Sequence, residues 1–133
     1  MTRISRNIVA TNKQEGKLMD WTTHAQPKVW VIQEGNNDYA TAEKFGEVHF
    51  ITRADLRSVA ASSVNEQAVA DVAKFLEEYR PEIDYIVPVG NPMMIIYVAM
   101  LVHKASPEHR YLKWDGRQAD YIVFKITDDG VVQ

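Results

Sequence analysis

Residues 84–94 read DYIVPVGNPMM, an apolar run that stops at Gly90-Asn91-Pro92 and is followed by a second apolar run. A continuously apolar strand is typical of a parallel sheet that is buried on both faces. Asn91 is a good N-cap, and Pro92 suits the first turn of a helix, where its missing N–H costs nothing. The stretch therefore predicts a buried strand, a tight turn and a helix that begins at the edge of the sheet where α/β proteins bind ligands.

The sequence on either side of this stretch alternates between strand and helix patterns. Such alternation indicates a mainly parallel sheet, and the short turn between the last two strands indicates an antiparallel hairpin. We therefore predict a small three-layer, Rossmann-like α/β domain over residues 28–133, preceded by an N-terminal extension over residues 1–27. The predicted strands are 28–33, 48–52, 84–90, 110–114 and 119–126, and the predicted helices are 41–45, 66–80 and 93–105.

The composition is that of an ordinary globular protein, with 46% hydrophobic and 25% charged residues, which argues against wholesale disorder. The absence of cysteine excludes disulfides, thiolate metal sites and cysteine nucleophiles. No signal peptide is visible, and the longest uncharged apolar stretch, 92–102, is far shorter than the roughly 20 residues that span a bilayer. We expect a soluble, cytoplasmic protein with no membrane partner.

The first nineteen residues are basic, with four lysines and arginines against one glutamate, although the whole chain has a net charge of −3. A basic arm can contact phosphate groups through counterion release. The alternative is a solvated terminus, which is common in small domains. No interleaving of arginine with aromatic residues accompanies the arm, so a nucleic-acid partner is not expected.

Three polar segments follow strands that would end at the same edge of the sheet. If the strands are parallel, these segments converge, and the free N–H groups at the start of the helix after Asn91 would favour an anion there. The alternative is that each segment only closes a turn, as Asp115-Gly116 does in many hairpins. The candidate ligand-binding residues are Asn36, Asn37, Asp38, Tyr39, Gly90, Asn91, Lys113, Trp114 and Asp115.

Motifs with known catalytic chemistry are missing from the sequence. No serine lies in a G-x-S-x-G turn, and neither G-x-G-x-x-G nor the P-loop pattern occurs. The four histidines lack the spacing of metal ligands, so no metal and no cofactor are expected. No motif in the sequence identifies a catalytic residue, and whether the chain is an enzyme stays open.

The helix predicted over residues 93–105 is apolar nearly all round and should be buried on every side. A second copy of the chain could cover its outer side, and so could the N-terminal extension. Methionine adapts well to irregular contact surfaces, which suits the first alternative. In a homo-oligomer the interface residues would be Met93, Met94, Ile96, Tyr97 and Met100.

Three short motifs carry a resemblance to a known group of proteins. They are DYATAEKFGE at 38–47, GNP at 90–92 and KWD at 113–115. With them, about three-quarters of the chain resembles a group of small α/β proteins from tailed phages and bacteria. The group has no established activity, so the resemblance implies an accessory protein and supplies no catalytic residue. The chain departs from the group at Asn91, where aspartate is equally expected, which weakens any metal role there.

Three functions are consistent with these patterns. The leading hypothesis is a binding or accessory protein that recognises a nucleotide-like or other anionic small molecule, or a host protein, through the three loops. The second is a small enzyme acting on a nucleotide or phosphoester, with Asp38 or Asp115 as acid/base and Lys113 as charge stabiliser. The third is an assembly protein that uses its methionine-rich helix.

Overall fold

The computed structural model describes residues 26–35, 37–54 and 63–133, which form a six-stranded sheet, two α-helices and a 3₁₀ helix. The strand order is β2-β1-β3-β4-β5-β6; β1 to β4 are parallel, and β5 and β6 complete an antiparallel C-terminal meander. The strands are β1 (Lys28–Gln33), β2 (Glu47–Thr52), β3 (Tyr85–Val87), β4 (His109–Asp115), β5 (Asp120–Thr127) and β6 (Gly130–Val132). The helices are α1 (Ser63–Glu78), α2 (Pro92–Ala105) and the 3₁₀ helix (Ala40–Phe45).

The mixed α/β content, the parallel strands and the C-terminal hairpin confirm the coarse prediction, and β1 has the predicted bounds. The strand predicted over 84–90 ends at Val87, because Pro88 has no N–H to donate to a neighbouring strand. The helix predicted over 66–80 spans Ser63–Glu78. The last predicted strand ends at residue 126, yet a further strand, β6, pairs with β5 beyond Thr127.

Both α-helices pack against the same face of the sheet. Side chains of a strand alternate between the two faces, and Trp30 and Ile32 point toward the helices while Val29 and Val31 point away. Among the described elements, the second face is covered by the 3₁₀ helix, so the Rossmann-like, three-layer arrangement stays a prediction. The helix-side core includes Trp30, Ile32, Val72, Phe75, Ile86, Met94 and Val98. The second cluster includes Val29, Val31, Tyr39, Ala42, Val87, Leu112 and Tyr121.

A fully buried carboxylate, Asp84, joins the start of β1 to the segment between α1 and β3. Its Oδ1 accepts a hydrogen bond from the Lys28 backbone N–H at 2.9 Å, and its Oδ2 accepts from Trp30 Nε1 at 3.1 Å and from the Arg80 N–H at 2.9 Å. The Arg80 guanidinium lies 3.3 Å from Oδ1. A buried charge is tolerated when it is paired and hydrogen-bonded in this way.

A chain of polar side chains connects the end of α2 to the C-terminal strands. His103 Nδ1 lies 3.1 Å from His109 Nε2, and His109 Nδ1 lies 2.8 Å from the Tyr111 hydroxyl. On its other side, His103 Nε2 is 3.0 Å from a carboxylate oxygen of Asp128, in the turn between β5 and β6. Burial, and secondarily the neighbouring His103, lower the pKa of His109, while burial raises the pKa of Tyr111 to about 12.

We expect the free energy of unfolding to decrease as the pH falls below about 6.5, the ordinary pKa of histidine. His109 binds a proton more readily in the unfolded chain, so protons favour unfolding. Its contribution is fully present above pH 6.5 and is lost as the pH falls through the lowered pKa of the folded state. Urea unfolding between about pH 8 and pH 5 measures this dependence. If His109→Gln shows the same pH dependence of stability as the unchanged protein, then groups other than His109 cause that dependence, and the prediction is wrong.

Candidate ligand-binding site

A cavity of about 270 Å³ lies at the carboxyl ends of β1, β3 and β4. Its lining comes from residues 37–39 after β1, residues 87–89 at the end of β3, residues 112–114 near the end of β4, and Tyr121 in β5. These are segments of the same sheet edge at which the parallel topology predicted convergence. The cavity lies on the sheet face that carries the 3₁₀ helix, away from α1 and α2.

The loop after β1 holds its shape through short-range hydrogen bonds. Asp38 Oδ1 accepts from the Ala40 N–H at 2.9 Å, which fixes the start of the 3₁₀ helix. Tyr39 is thereby turned inward, is only 7% exposed, and meets the Phe50 ring edge-on at 5.8 Å between centroids. Asn37 Nδ2 lies 3.5 Å from the Tyr39 hydroxyl, the polar end of the buried ring.

Trp114 and Tyr121 form an aromatic wall because they stand directly opposite each other in the β4–β5 hairpin. Their ring centroids are 5.2 Å apart and their planes are inclined at 70°. Tyr121 is 8% exposed, whereas Trp114 is 46% exposed and offers a face to a ligand. Burial, then Tyr39, then Asp38 raise the pKa of Tyr121, so its hydroxyl remains protonated at neutral pH.

The side chain of Lys113 points to the opposite face of the sheet from Trp114, although the two residues are neighbours in the sequence. Successive side chains of a strand point to opposite faces, so Lys113 lies on the same face as its cross-strand partner Ile122, while Trp114 lies on the other. Lys113 and Ile122 line a second recess together with Phe124. Within residues 26–35, 37–54 and 63–133, Lys113 forms no ion pair. Asp38 and Lys113 are the charged residues among the described residues that line the cavity, and strand alternation places the Lys113 side chain on the other face.

Gly90 and Asn91 serve the turn into α2 and do not line this cavity. Asn91 Oδ1 accepts from the Met93 N–H at 2.9 Å, which confirms Asn91 as the N-cap. The Asn91 N–H donates to Gln33 Oε1 at 2.5 Å, and Gln33 Nε2 donates to the Ala54 carbonyl at 2.9 Å. Gly90 has φ +127°, and this turn carries the chain from the cavity to the helix side.

The remaining predicted site residues have separate positions. Asp115 Oδ1 accepts from the Arg117 N–H at 2.9 Å and shapes the hairpin turn, and Asp115 lines the second recess with Lys113. Asn36 lies outside the described residues. The structure thus brings Asn37, Asp38, Tyr39 and Trp114 together on one face. The sequence pattern did not indicate Tyr121, although a partner opposite Trp114 follows once the hairpin register is known.

Two further features are absent from the part of the chain that the structure describes. It contains no group of three or more histidine, cysteine, aspartate or glutamate side chains placed to hold a metal ion. None of its helices combines the length and the apolar character needed to cross a membrane.

The parallel strands, the terminal hairpin and the aromatic cavity define a small mixed α/β protein with a candidate binding site at one edge of its sheet. The model of the family described as "Phage Pam3 gp32-like protein" matches residues 27–127, and the chain belongs to this family. The matched region runs from the residue before β1 to the end of β5 and so includes the whole cavity. No curated protein and no solved structure matched the chain. The resemblance to phage proteins is confirmed at the level of the family.

Proposed function

We propose that this phage-related protein is a small binding protein whose cavity takes one compact organic ligand or one side chain of a host protein. The observation that carries the proposal is the convergence of three chain segments around Tyr39, Trp114 and Tyr121. Aromatic walls with a few polar groups are the usual composition of a ligand site. Sites of this kind lie at the carboxyl ends of parallel strands in many α/β proteins.

The size of the cavity limits the ligand. Pockets for drug-sized ligands occupy roughly 300–1,000 Å³, and this cavity of about 270 Å³ lies just below that range. A single ring, a small ammonium compound or one long side chain fits such a volume. For a nucleotide-like ligand, we expect the base to stack on Trp114 and the sugar and phosphate to extend into solvent.

The charges argue against a ligand held mainly by its negative charge. Lys113 lies on the opposite face of the sheet, and the start of α2 is occupied by the Asn91 cap and by Gln33. Of the two pairs proposed for phosphoester chemistry, Asp38 and the Lys113 side chain lie on opposite faces of the sheet, and Asp115, which shares the second recess with Lys113, accepts the Arg117 N–H in the hairpin turn. Binding is therefore better supported than an enzymatic function of that kind.

We expect Trp114→Ala to weaken ligand binding by about 5- to 100-fold, the effect of removing an aromatic stacking platform. A thermal-shift screen with nucleosides, nucleotides, organic cations and amino-acid amides identifies the ligand, because a hundredfold excess over Kd adds about 2.7 kcal/mol of stability. Titration calorimetry then measures the affinity in both proteins. Arg117→Gln is the control, since Arg117 is an exposed basic residue of the same hairpin that does not line the cavity, and its change should leave binding intact.

Two results would contradict the proposal. One is the absence of any ligand in the screen and in pull-downs with host proteins. The other is equal affinity of the unchanged protein and Trp114→Ala for the ligand that the screen identifies. Because Trp114 is half-exposed, its truncation should cost little stability, so a loss of binding would not reflect unfolding.

An exposed apolar row on α2 favours a second candidate function, assembly through this helix. Met93, Ile96 and Met100 are 58%, 60% and 49% exposed and lie on one side of the helix, at positions i, i+3 and i+7. Met94, in contrast, is 1% exposed and packs in the core of the chain, and Tyr97 is partly buried against that core. A helix covered on every side needs either a partner or the N-terminal extension, most of which lies outside the described residues, at this row.

We propose that this partner is a second copy of the chain, as the apolar character of the helix predicted. Light scattering should then show a dimer at tens of micromolar and a monomer for Ile96→Lys, because a buried lysine without a partner is costly. The unchanged protein found as a monomer throughout that range would overturn the homodimer. Met94 is unsuitable for this test, since replacing it would damage the core.

A further inference from the structure

We infer that the ligand of the cavity is an organic cation, namely an alkylammonium or guanidinium group on a small molecule or on a host-protein side chain. The inference rests on the proposed function and names the chemistry of the ligand. It is carried by the combination of aromatic faces with a carboxylate on one side of the sheet, and by the placement of the neighbouring basic groups elsewhere.

The first observation is the arrangement of the aromatic rings. Tyr39, Trp114 and Tyr121 line one small cavity, and the Trp114 and Tyr121 planes are inclined at 70° rather than stacked. The face of an aromatic ring is negative and attracts a cation within about 6 Å of its centre. Rings inclined to one another can present their faces or edges to one enclosed group, as in the aromatic cages that recognise methylated ammonium groups.

The second observation is the charge around these rings. Asp38 and Lys113 both belong to the lining of the cavity, but strand alternation directs the Lys113 side chain to the other face of the sheet. The ammonium of Lys44, on the 3₁₀ helix beside β5, lies 2.5 Å from a carboxylate oxygen of Asp120 and is neutralised by that ion pair. Of the two basic residues nearest the cavity in the described part of the chain, Lys113 therefore directs its side chain to the other face, and Lys44 is paired with Asp120. A cation would complete this arrangement, and an anion would be repelled.

The pKa of Tyr121, in the wall of the cavity, depends on the same electrostatic environment. Burial is the main cause of the raised pKa of Tyr121, and the further causes, Tyr39 and Asp38, act in the same direction. No basic group lowers the pKa of this hydroxyl. Burial disfavours a charge of either sign, so only the contribution of Asp38 bears on the ligand, and that carboxylate favours a positive charge.

Titration calorimetry with charge-matched pairs of probes tests the inference. Choline is compared with dimethylbutanol, its neutral carbon isostere, and N-acetylarginine amide is compared with the corresponding citrulline amide. We expect at least one cation to bind about tenfold or more tightly than its neutral partner, since a desolvated cation–aromatic contact and a nearby carboxylate act together. We further expect Asp38→Asn to remove most of this preference, because the amide oxygen keeps the acceptor for the Ala40 N–H and the fold is retained.

The outcomes separate the inference from the proposed function. Equal affinity for the charged and neutral members of both pairs would contradict the inference that the ligand is a cation and would leave a binding site for neutral groups. Tighter binding of nucleoside phosphates than of any cation would also contradict a cationic ligand. The proposed binding function would still hold if Trp114→Ala abolishes the binding of those phosphates. Failure of every probe and of the screen would overturn both. A preference for choline identifies a free small molecule as the source, and a preference for the arginine amide identifies a side chain.

Discussion

Asp84→Ala should lower the free energy of unfolding by about 3–5 kcal/mol, the usual cost of removing one partner from a buried ionic network. Asp84 is fully buried, and its loss would leave the Trp30 indole N–H and the Lys28 and Arg80 backbone N–H groups without their acceptor. Urea unfolding monitored by circular dichroism measures the change. If Asp84→Ala does not fold, Asp84→Asn, which keeps the shape and loses the charge, should still fold with a large part of the same loss.

Glu82→Ala is the control for this prediction, because Glu82 is an exposed acidic residue two positions away in the same turn. Surface substitutions of this kind change stability by no more than about 0.5 kcal/mol. A loss below about 1 kcal/mol in Asp84→Ala would contradict the structural role assigned to the carboxylate, since even one unsatisfied buried group costs at least that much.

Gly90→Ala should lower the free energy of unfolding by about 2–5 kcal/mol, the sum of backbone strain and overpacking. Gly90 has φ +127°, which side-chain-bearing residues rarely adopt, and a Cβ atom there would lie 2.5 Å from Gln33 Cβ and from Gln33 Oε1. The displaced Gln33 would also lose its hydrogen bond from Asn91. Thermal and urea unfolding measure the effect.

Gly35→Ala provides the matched control, because a Cβ atom at Gly35 meets nothing within 4 Å. Its effect should stay within about 0.5 kcal/mol. The cost of Gly90→Ala should also be smaller when Gln33 is already alanine, since part of the clash is then absent. Equal small effects of Gly35→Ala and Gly90→Ala would show that the close approach of Gln33 is not a constraint on this turn.

Local patterns in the sequence were sufficient for the framework of the fold. The apolar strand before Gly90-Asn91-Pro92, the Asn91 cap and the proline in the first turn of α2 all depend on residues within a few positions of one another. The convergence of the loops after β1 and β3 with the end of β4 followed from parallel topology alone. The strand, turn and helix depend on short-range chemistry, and the convergence of the loops depends on the general rules that govern how parallel strands are connected.

The inner geometry of the site required information about register, which the local patterns do not contain. A shift of one residue along a strand moves a side chain to the opposite face. Lys113 and Trp114 are neighbours in sequence and therefore looked like one site, yet the β4–β5 pairing separates them. Tyr121 joins Trp114 through the same long-range pairing, and Gln33 reaches Asn91 from 58 residues away. Likewise, β6 forms because β5 supplies its hydrogen-bonding partners.

The charge of the ligand that the aromatic cavity accepts decides between the proposed functions. The basic residues that suggested an anion in the sequence do not direct a free positive charge into the cavity. Lys113 is on the other face, and Lys44 is paired with Asp120. The family match covers the whole cavity, so a cation site would be a property of the matched region of the chain. The exposed row on α2 is a separate surface and can serve assembly without altering the cavity.

The most direct test is an NMR titration of the indole N–H signals with N-acetylarginine amide and choline. We expect the Trp114 signal, assigned through Trp114→Phe, to shift and saturate with at least one of these cations and not with its neutral partner. The Trp30 signal serves as an internal reference, because Trp30 is 4% exposed and its indole N–H is bound to Asp84. A Trp114 signal that does not move with either cation, or that moves equally with the neutral partners, would contradict the cation-binding site.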